Sequence, residues 1–343
     1  MKLFERTDLR LTKRVAWIDI AKAIGIILVV INHAYPLKDT FYKTTYWWHM
    51  PLFFLIGGFF LKSLHQKDER FSVFLKTKVW PLLRDYLIAG SLVILANFII
   101  EGQSFSYLLN YFLKLLYGGD ILTGYTSVFW FVSVYILALM AVTIIITYIP
   151  WRWLQFGLVT GLFILGTAYK SAESTLGRPL PWNADVALMA IFYMWIGQFS
   201  FKYLKRVLKQ RLFLGVTLSL ATFFIALQGL GAIDQTIYMK SHNITNGWFA
   251  MIVPLVCCFA ALALAYWLQF TGVHATLELI GQHTMAIMFA HKALFFLLKK
   301  GDFQTWAVLS AAGIILPLMA VIFGQWVKAY YADRQYQKLI FNY

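Results

Sequence analysis

The sequence predicts an all-α, polytopic membrane bundle of about ten transmembrane helices, and three observations predict it. The 343 residues are 60% hydrophobic and 18% aromatic but only 13% charged, which excludes a disordered chain and makes a soluble globule a poor fit. Apolar runs of about 20 residues recur along the whole length, each long enough at about 1.5 Å per residue to cross a bilayer core. The 30 Lys and Arg, against 15 Asp and Glu, concentrate in short loops between those runs. That is the pattern of membrane topology rather than of a nucleic-acid surface.

The runs fall at 17–35, 46–64, 79–100, 127–149, 154–170, 184–203, 211–230, 246–270, 277–298 and 304–328. The first, WIDIAKAIGIILVVINHAY, follows a polar, basic stretch and is too long for the apolar region of a signal peptide, so it reads as a span. The second carries Gly57 and Gly58, which let a helix approach a neighbour closely. The third contains Pro81 and Arg84. Glu101 to Thr126 is aromatic and partly amphipathic, suited to lying in the interface. Ser171 to Ala184, rich in turn-formers, is expected to wall an outward-facing site. Cys257 and Cys258 are adjacent in an apolar run and point to neither a disulfide nor a metal. The chain reads as one unit over 1–343, with 1–16 and 329–343 as short cytoplasmic tails. In that orientation twenty of the 30 Lys and Arg lie inside and eight outside. This bias is expected of a multi-pass protein of the plasma (inner) membrane with both termini in the cytoplasm.

An ionisable side chain near the centre of a span costs at least ~2.5 kcal/mol, so those in the first run call for a reason. Asp19, Lys22 and His33 share one helical face: eleven residues at 100° each bring His33 within about 20° of Lys22, about 16 Å further along. Lys22 points to the cytoplasmic end and His33 to the outer end. His49, near the outer start of the second run, and His291, in the outer half of the ninth, approach the same membrane level. A histidine with an ordinary pKa near 6.5 can take a proton from a hydroxyl and return it to a leaving group. His33 is therefore the candidate base, although each histidine alone also reads as a hydrogen bond between helices. No HxxxH spacing points to zinc, and no metal is expected. Asp19 and Lys22, three residues apart, also read as a self-neutralising ion pair.

Lys76, Lys78 and Arg84 lie at the same end as Lys22, and together they make a candidate basic mouth for a phosphate-bearing ligand. Trp130, at the start of the fourth run, and Trp182 and Asp185, at the start of the sixth, are candidate ligand contacts on the outer side. They equally read as interface anchors and a helix-start charge.

Five stretches, in this order, carry a resemblance: WIDIAKAIGIILVVINH at 17–33, where ten residues separate a basic residue from His; HMPLFFLIGGFFLK at 49–62; VFWFVSVYIL at 128–137; PWNADVALMAIFYMWIG at 181–197; and LIGQHTMAIMFAHKAL at 279–294. They resemble the acyltransferase family 3 membrane proteins, in particular the branch of fucose 4-O-acetylases and exopolysaccharide O-acetyltransferases. The resemblance implies an enzyme, a membrane O-acyltransferase. Such an enzyme moves an acyl group, usually acetyl from cytoplasmic acetyl-CoA, to a sugar hydroxyl of a cell-surface polysaccharide or its lipid-linked precursor. It implies acetyl-CoA as co-substrate, and as partners membrane lipid, the glycan or lipid-linked sugar, and other polysaccharide-assembly proteins.

By the same resemblance Lys22 and His33 match the first-span pair, His291 closes the ninth-span motif, and His49 precedes Met-Pro-Leu. Many relatives have two basic residues three apart in the third span. Here Pro81 and Arg84 stand instead, so Lys76 or Lys78 is expected to take over contact with the phosphates. The fused hydrolase-like domain of many relatives is not seen in these residues. The chain is therefore expected to act alone on its acceptor or to pass the acyl group to a separate protein. The expected roles are His33, Lys22 and His291 in catalysis; Lys22, Arg84, Lys76 and Lys78 on the donor; and His49, Trp130, Trp182 and Asp185 on the acceptor. Whether His33 acts directly or carries the acetyl group is open at this level. A transporter or flippase for a polar or anionic solute, using the same buried Lys–His stripe, is the alternative reading.

Overall fold

The computed structural model describes residues 14–170 and 172–341. Most of the predicted tail 1–16, Ser171 of the predicted outer wall and the last two residues of the tail 329–343 lie outside the described residues.

The first run becomes α1 (Ala16–Ala34). It ends where Tyr35 turns extended, because the Pro36 ring bars the residue before it from the helical region. α2 (Thr40–Tyr46) starts on an Asp39 cap that accepts from the Tyr42 N–H at 3.1 Å. α3 (His49–Gly58) is only ten residues long, about 15 Å or half a bilayer core. The expected span 46–64 is thus a half-span, ending at the Gly57-Gly58 pair where helix propensity is lowest.

The short helices α4 (Leu64–Lys67) and α5 (Phe71–Phe74) lead into a π-helical turn, Leu75–Val79, and directly on into α6 (Trp80–Glu101). Pro81 offers no N–H to the preceding turn and its ring crowds the carbonyl four residues back. A wider turn accommodates both defects. The third helical segment therefore begins well before the expected residue 79, and Lys76 and Lys78 stand on helix rather than loop.

α7 (Phe105–Tyr117), capped by Ser104 Oγ accepting from the Tyr107 N–H at 3.2 Å, leaves Leu109, Leu113 and Leu116 exposed on one side, as its amphipathic pattern predicts. There follow α8 (Trp130–Tyr148), α9 (Arg152–Thr167), α10 (Ala172–Leu176), α11 (Ala184–Val207) and α12 (Arg211–Gly229). A small antiparallel hairpin comes next, β1 (Ile237–Tyr238) with β2 (Asn243–Ile244), in which Ile237 faces Ile244. The chain ends in α13 (Gly247–Leu268), α14 (His274–Gln282), α15 (Thr284–Lys300) and α16 (Trp306–Phe341).

Among the described residues, seven helical segments are long and apolar enough to cross a membrane. The expected second, fifth and ninth spans are shorter, with helices of 10, 16 and 17 residues. The ninth is split at His283 between α14 and α15. Burial separates inner from outer helices. α1, α8, α11 and α13 are mostly buried, whereas α6, α12 and α16 turn side chains such as Ile99, Phe223 and Phe323 outward. Apolar side chains pointing out of a bundle are what lipid solvates.

α1 is the axis, packed by α14, α13, α16, α3 and α15. Its closest neighbour is α14, where a Cβ added at Gly281 would collide with the Asp19 carbonyl. The expected close approach of the second run is found where α3 crosses α11: a Cβ at Gly58 would strike the Met194 carbonyl, and one at Gly197 would strike that of Leu55. Two backbones in contact hold the half-span α3, with His49 at its start, against the bundle.

Candidate active site

Two cavities lie end to end beside α1. One, of about 480 Å³, is lined by His33, His49, Asn32, Trp130, Lys240 and Lys292 among others. The other, of about 520 Å³, is lined by Lys22, Lys62, Thr77, Lys78 and Tyr135. Phe53, Phe131, Thr284 and Met285 belong to the walls of both, so the two spaces share a wall. Phe131 packs edge-on against Phe53 with centroids 5.9 Å apart.

In the first cavity, His33 Nδ1 lies 2.7 Å from His291 Nε2. The ring centroids are 5.0 Å apart and the planes differ by 8°. That separation is about the N···N distance plus a ring radius at each end, so the rings meet edge to edge in one plane, as an N–H···N bond requires. The direction of the bond follows from a second contact. His291 Nδ1 is 2.9 Å from the Ile287 carbonyl, which can only accept, so His291 carries its proton on Nδ1 and offers a lone pair at Nε2. His33 must then donate from Nδ1, which leaves the lone pair of His33 on Nε2. His291 is fully buried whereas His33 is half-buried and lines the cavity. The i−4 carbonyl of α15 thus sets the tautomer of a histidine on α1.

His49 is fixed in the same way. Its Nδ1 lies 2.6 Å from the Thr45 carbonyl across the α2–α3 break, which leaves Nε2 as its acceptor. Asn32 Nδ2, one residue before His33, donates to Thr45 Oγ1 at 2.8 Å and ties α1 to α2 at this level. Tyr42, Tyr46 and Tyr238 form an aromatic wall, with Tyr46 and Tyr238 5.1 Å apart and nearly perpendicular. Lys240, from the hairpin, donates to the Leu122 carbonyl at 2.7 Å and lies 3.6 Å from Asp120. Burial pulls its ammonium below the ordinary lysine value, and Asp120 holds it up against that pull.

The expected site residues divide between the two cavities. His33, His291, His49 and Trp130 come together at the first. Lys22 and Lys78 line the second, where Lys22 makes the expected ion pair with the buried Asp19 at 2.6 Å. Lys76 is exposed, and so is Arg84, which is bonded to its neighbour Asp85 at 2.7 Å; neither lines either of these two cavities. Asp185 is buried against His242 Nδ1 at 3.1 Å and lines a side pocket of about 90 Å³ that shares Asp120, Lys240 and Ser241 with the first cavity. The stretch after Ser171 borders that side pocket rather than the main cavity, through Glu173, Pro179 and Leu180. Trp182 stands apart from all three spaces and donates to the Leu116 carbonyl at 3.0 Å.

Sequence reasoning missed Lys62, Lys240, Lys292 and the tyrosine wall. Lys292 was visible as a lysine inside an apolar run. Lys240 carried no signal, because its hairpin is placed only by tertiary contacts.

No curated protein and no solved structure matches the chain. A family model for the acyltransferase domain matches residues 15–325, which takes in the His33–His291 pair and both cavities. The chain belongs to acyltransferase family 3, and it is a membrane acyltransferase.

Proposed function

We propose that the protein moves an acetyl group from acetyl-CoA in the cytoplasm to a sugar hydroxyl of a cell-surface polysaccharide or its lipid-linked precursor. In this reading it sits in the plasma (inner) membrane with both termini inside. The observation that carries the reading is the pair of abutting cavities, one lined by Lys22, Lys62 and Lys78 and the other holding the His33–His291 pair, with Phe53, Phe131, Thr284 and Met285 in the walls of both. A donor with phosphates at one end and a thioester on a long arm suits the Lys22–Lys62–Lys78 cavity, and the shared wall is where its reactive end would meet an acceptor.

In the proposed reaction, His33 Nε2 takes the proton of the acceptor hydroxyl as its oxygen bonds to the thioester carbonyl. As the tetrahedral intermediate collapses and the C–S bond breaks, His33 returns the proton to the departing thiolate, giving ester and free CoA thiol. His291 holds the base in the required tautomer throughout, and membrane glycan-assembly proteins that present the acceptor are the expected partners. Radiolabelled acetyl-CoA supplied to membranes tests the whole reading. Label should enter the glycan fraction, and His33→Ala should lower that transfer by about 10²- to 10⁴-fold with the protein still folded. Transfer by His33→Ala at the unsubstituted rate would remove the assignment.

A further inference from the structure

The cavity that holds His33 has more positive charge than its own carboxylates can balance. Three lysines, Lys38, Lys240 and Lys292, line it against one carboxylate, Asp120. Asp120 is taken by Lys240, at 3.6 Å. Lys292 sits on α15 one residue after His291, is only partly accessible, and takes part in none of the ion pairs among the described residues. An ammonium inside an apolar bundle costs several kcal/mol unless an anion or several acceptors meet it. Nothing in this wall supplies the anion, and a proton-transfer role already has His33. The walls also carry aromatic rings, with Tyr46 and Tyr238 packed together and Trp130 lining the same cavity. Rings of this kind cover the apolar faces of a sugar while leaving its edge groups to charged side chains.

We infer that the acceptor bears a negative group, a carboxylate or a phosphate ester, close to the hydroxyl that reacts, and that Lys292 binds it, with Lys240 as the second cation of the same wall. The inference rests on the proposed acyl transfer only for the word acceptor, since the site itself is defined by charge and shape. Lys240 is pre-placed by the Leu122 carbonyl and Asp120, so it needs no reorganisation, and because it shares its charge with Asp120 it contributes the smaller part. Lys292, unpaired, is left to gain most from the ligand. A uronic acid residue of a glycan and a sugar phosphate of a lipid-linked precursor share this chemistry, and the test has an arm for each.

Binding of three small probes to the purified full-length protein, without acetyl-CoA, tests the inference by equilibrium dialysis. The probes are p-nitrophenyl glucuronide, p-nitrophenyl glucoside and glucose 1-phosphate. The glucuronide or the phosphate should bind about tenfold to a hundredfold more tightly than the neutral glucoside, the range of a charge-assisted contact. Whichever anion is preferred names the source. Lys292→Met should bring the anionic probe to within about twofold of the glucoside and leave the glucoside unchanged. Lys292→Arg should keep most of the preference, and Lys240→Met should lose part of it. Equal or undetectable binding of all three probes overturns the inference, as does a Lys292→Met protein that melts normally and keeps the preference. Should Lys292→Met not fold, the wild-type preference and the Lys240→Met loss decide. Because no acetyl donor is present, a failure of acetyl transfer leaves this result standing, and a failure here leaves the transfer assay standing.

Discussion

The two cavities along α1 are built on different principles. Around His33 the polar groups are held at fixed angles: the Ile287 carbonyl orients His291, His291 orients His33, and the Thr45 carbonyl orients His49. Two of these anchors are backbone carbonyls, which cannot rotate away, and the third, His291, is itself held by one. Around Lys22 the polar groups are long ammonium side chains at an open rim, where Lys62 and Lys78 are exposed and only Lys22 is tied down, by Asp19. Proton transfer demands that a lone pair be aimed to within a few tenths of an ångström. Attraction of phosphates demands only charge of the right sign within reach. In the proposed reading the rigid end suits chemistry and the loose end suits holding a charged donor.

The largest effect expected at the rigid end is that of His33→Ala given above. His291→Leu sharpens the comparison, since His291 acts only through His33. Transfer should fall about tenfold or more, and His33→Ala/His291→Leu should be no slower than His33→Ala alone. A strictly additive double mutant in the same radiolabel assay would separate the two rings. At the loose end, Lys22→Met should raise the KM for acetyl-CoA about tenfold and also lower the melting temperature, because it strands the buried Asp19. Lys22→Met/Asp19→Asn should recover the melting temperature without recovering KM. If both recover, Lys22 is structural only. Arg84→Ala should change KM by less than about twofold, since Arg84 faces away from both cavities and pairs with Asp85; a large KM change would place the donor elsewhere.

The smallest effect concerns the Lys43–Asp234 pair. Lys43, with help from Gln228, holds the Asp234 carboxyl below the ordinary carboxylate range. The folded state then binds fewer protons than the unfolded one near pH 4, so the contribution of Asp234 to stability is present above its unfolded pKa of about 3.9 and fades as the pH falls through its lower folded value. Asp234→Asn should flatten that acid-side slope in melting temperature measured between pH 3 and 5, and should lower the melting temperature slightly at neutral pH, where the contribution is fully present.

The shared face of Lys22 and His33 was legible in the first run, because eleven residues of unbroken helix bring them to one side whatever surrounds them. The close crossing was legible too, from Gly57-Gly58. Arg84 and Lys78 were not distinguishable in the same way. Pro81 forces the π-turn, and only the resulting change of phase decides which basic side chain turns into the cavity. The length of α3 was likewise hidden, since an apolar run does not say whether a helix crosses the bilayer or stops halfway against a neighbour's backbone.

By itself, then, the amino-acid sequence determined the membrane bundle, the long spans and the histidines worth watching. Hydropathy and helical phase act over a single turn or a single span. Only the tertiary structure decided that His33 bonds to His291, 258 residues away, that Lys22 lines the other cavity, and that Lys292 meets no carboxylate among the described residues. Those outcomes depend on how separate helices are seated against α1, and no local pattern carries that information.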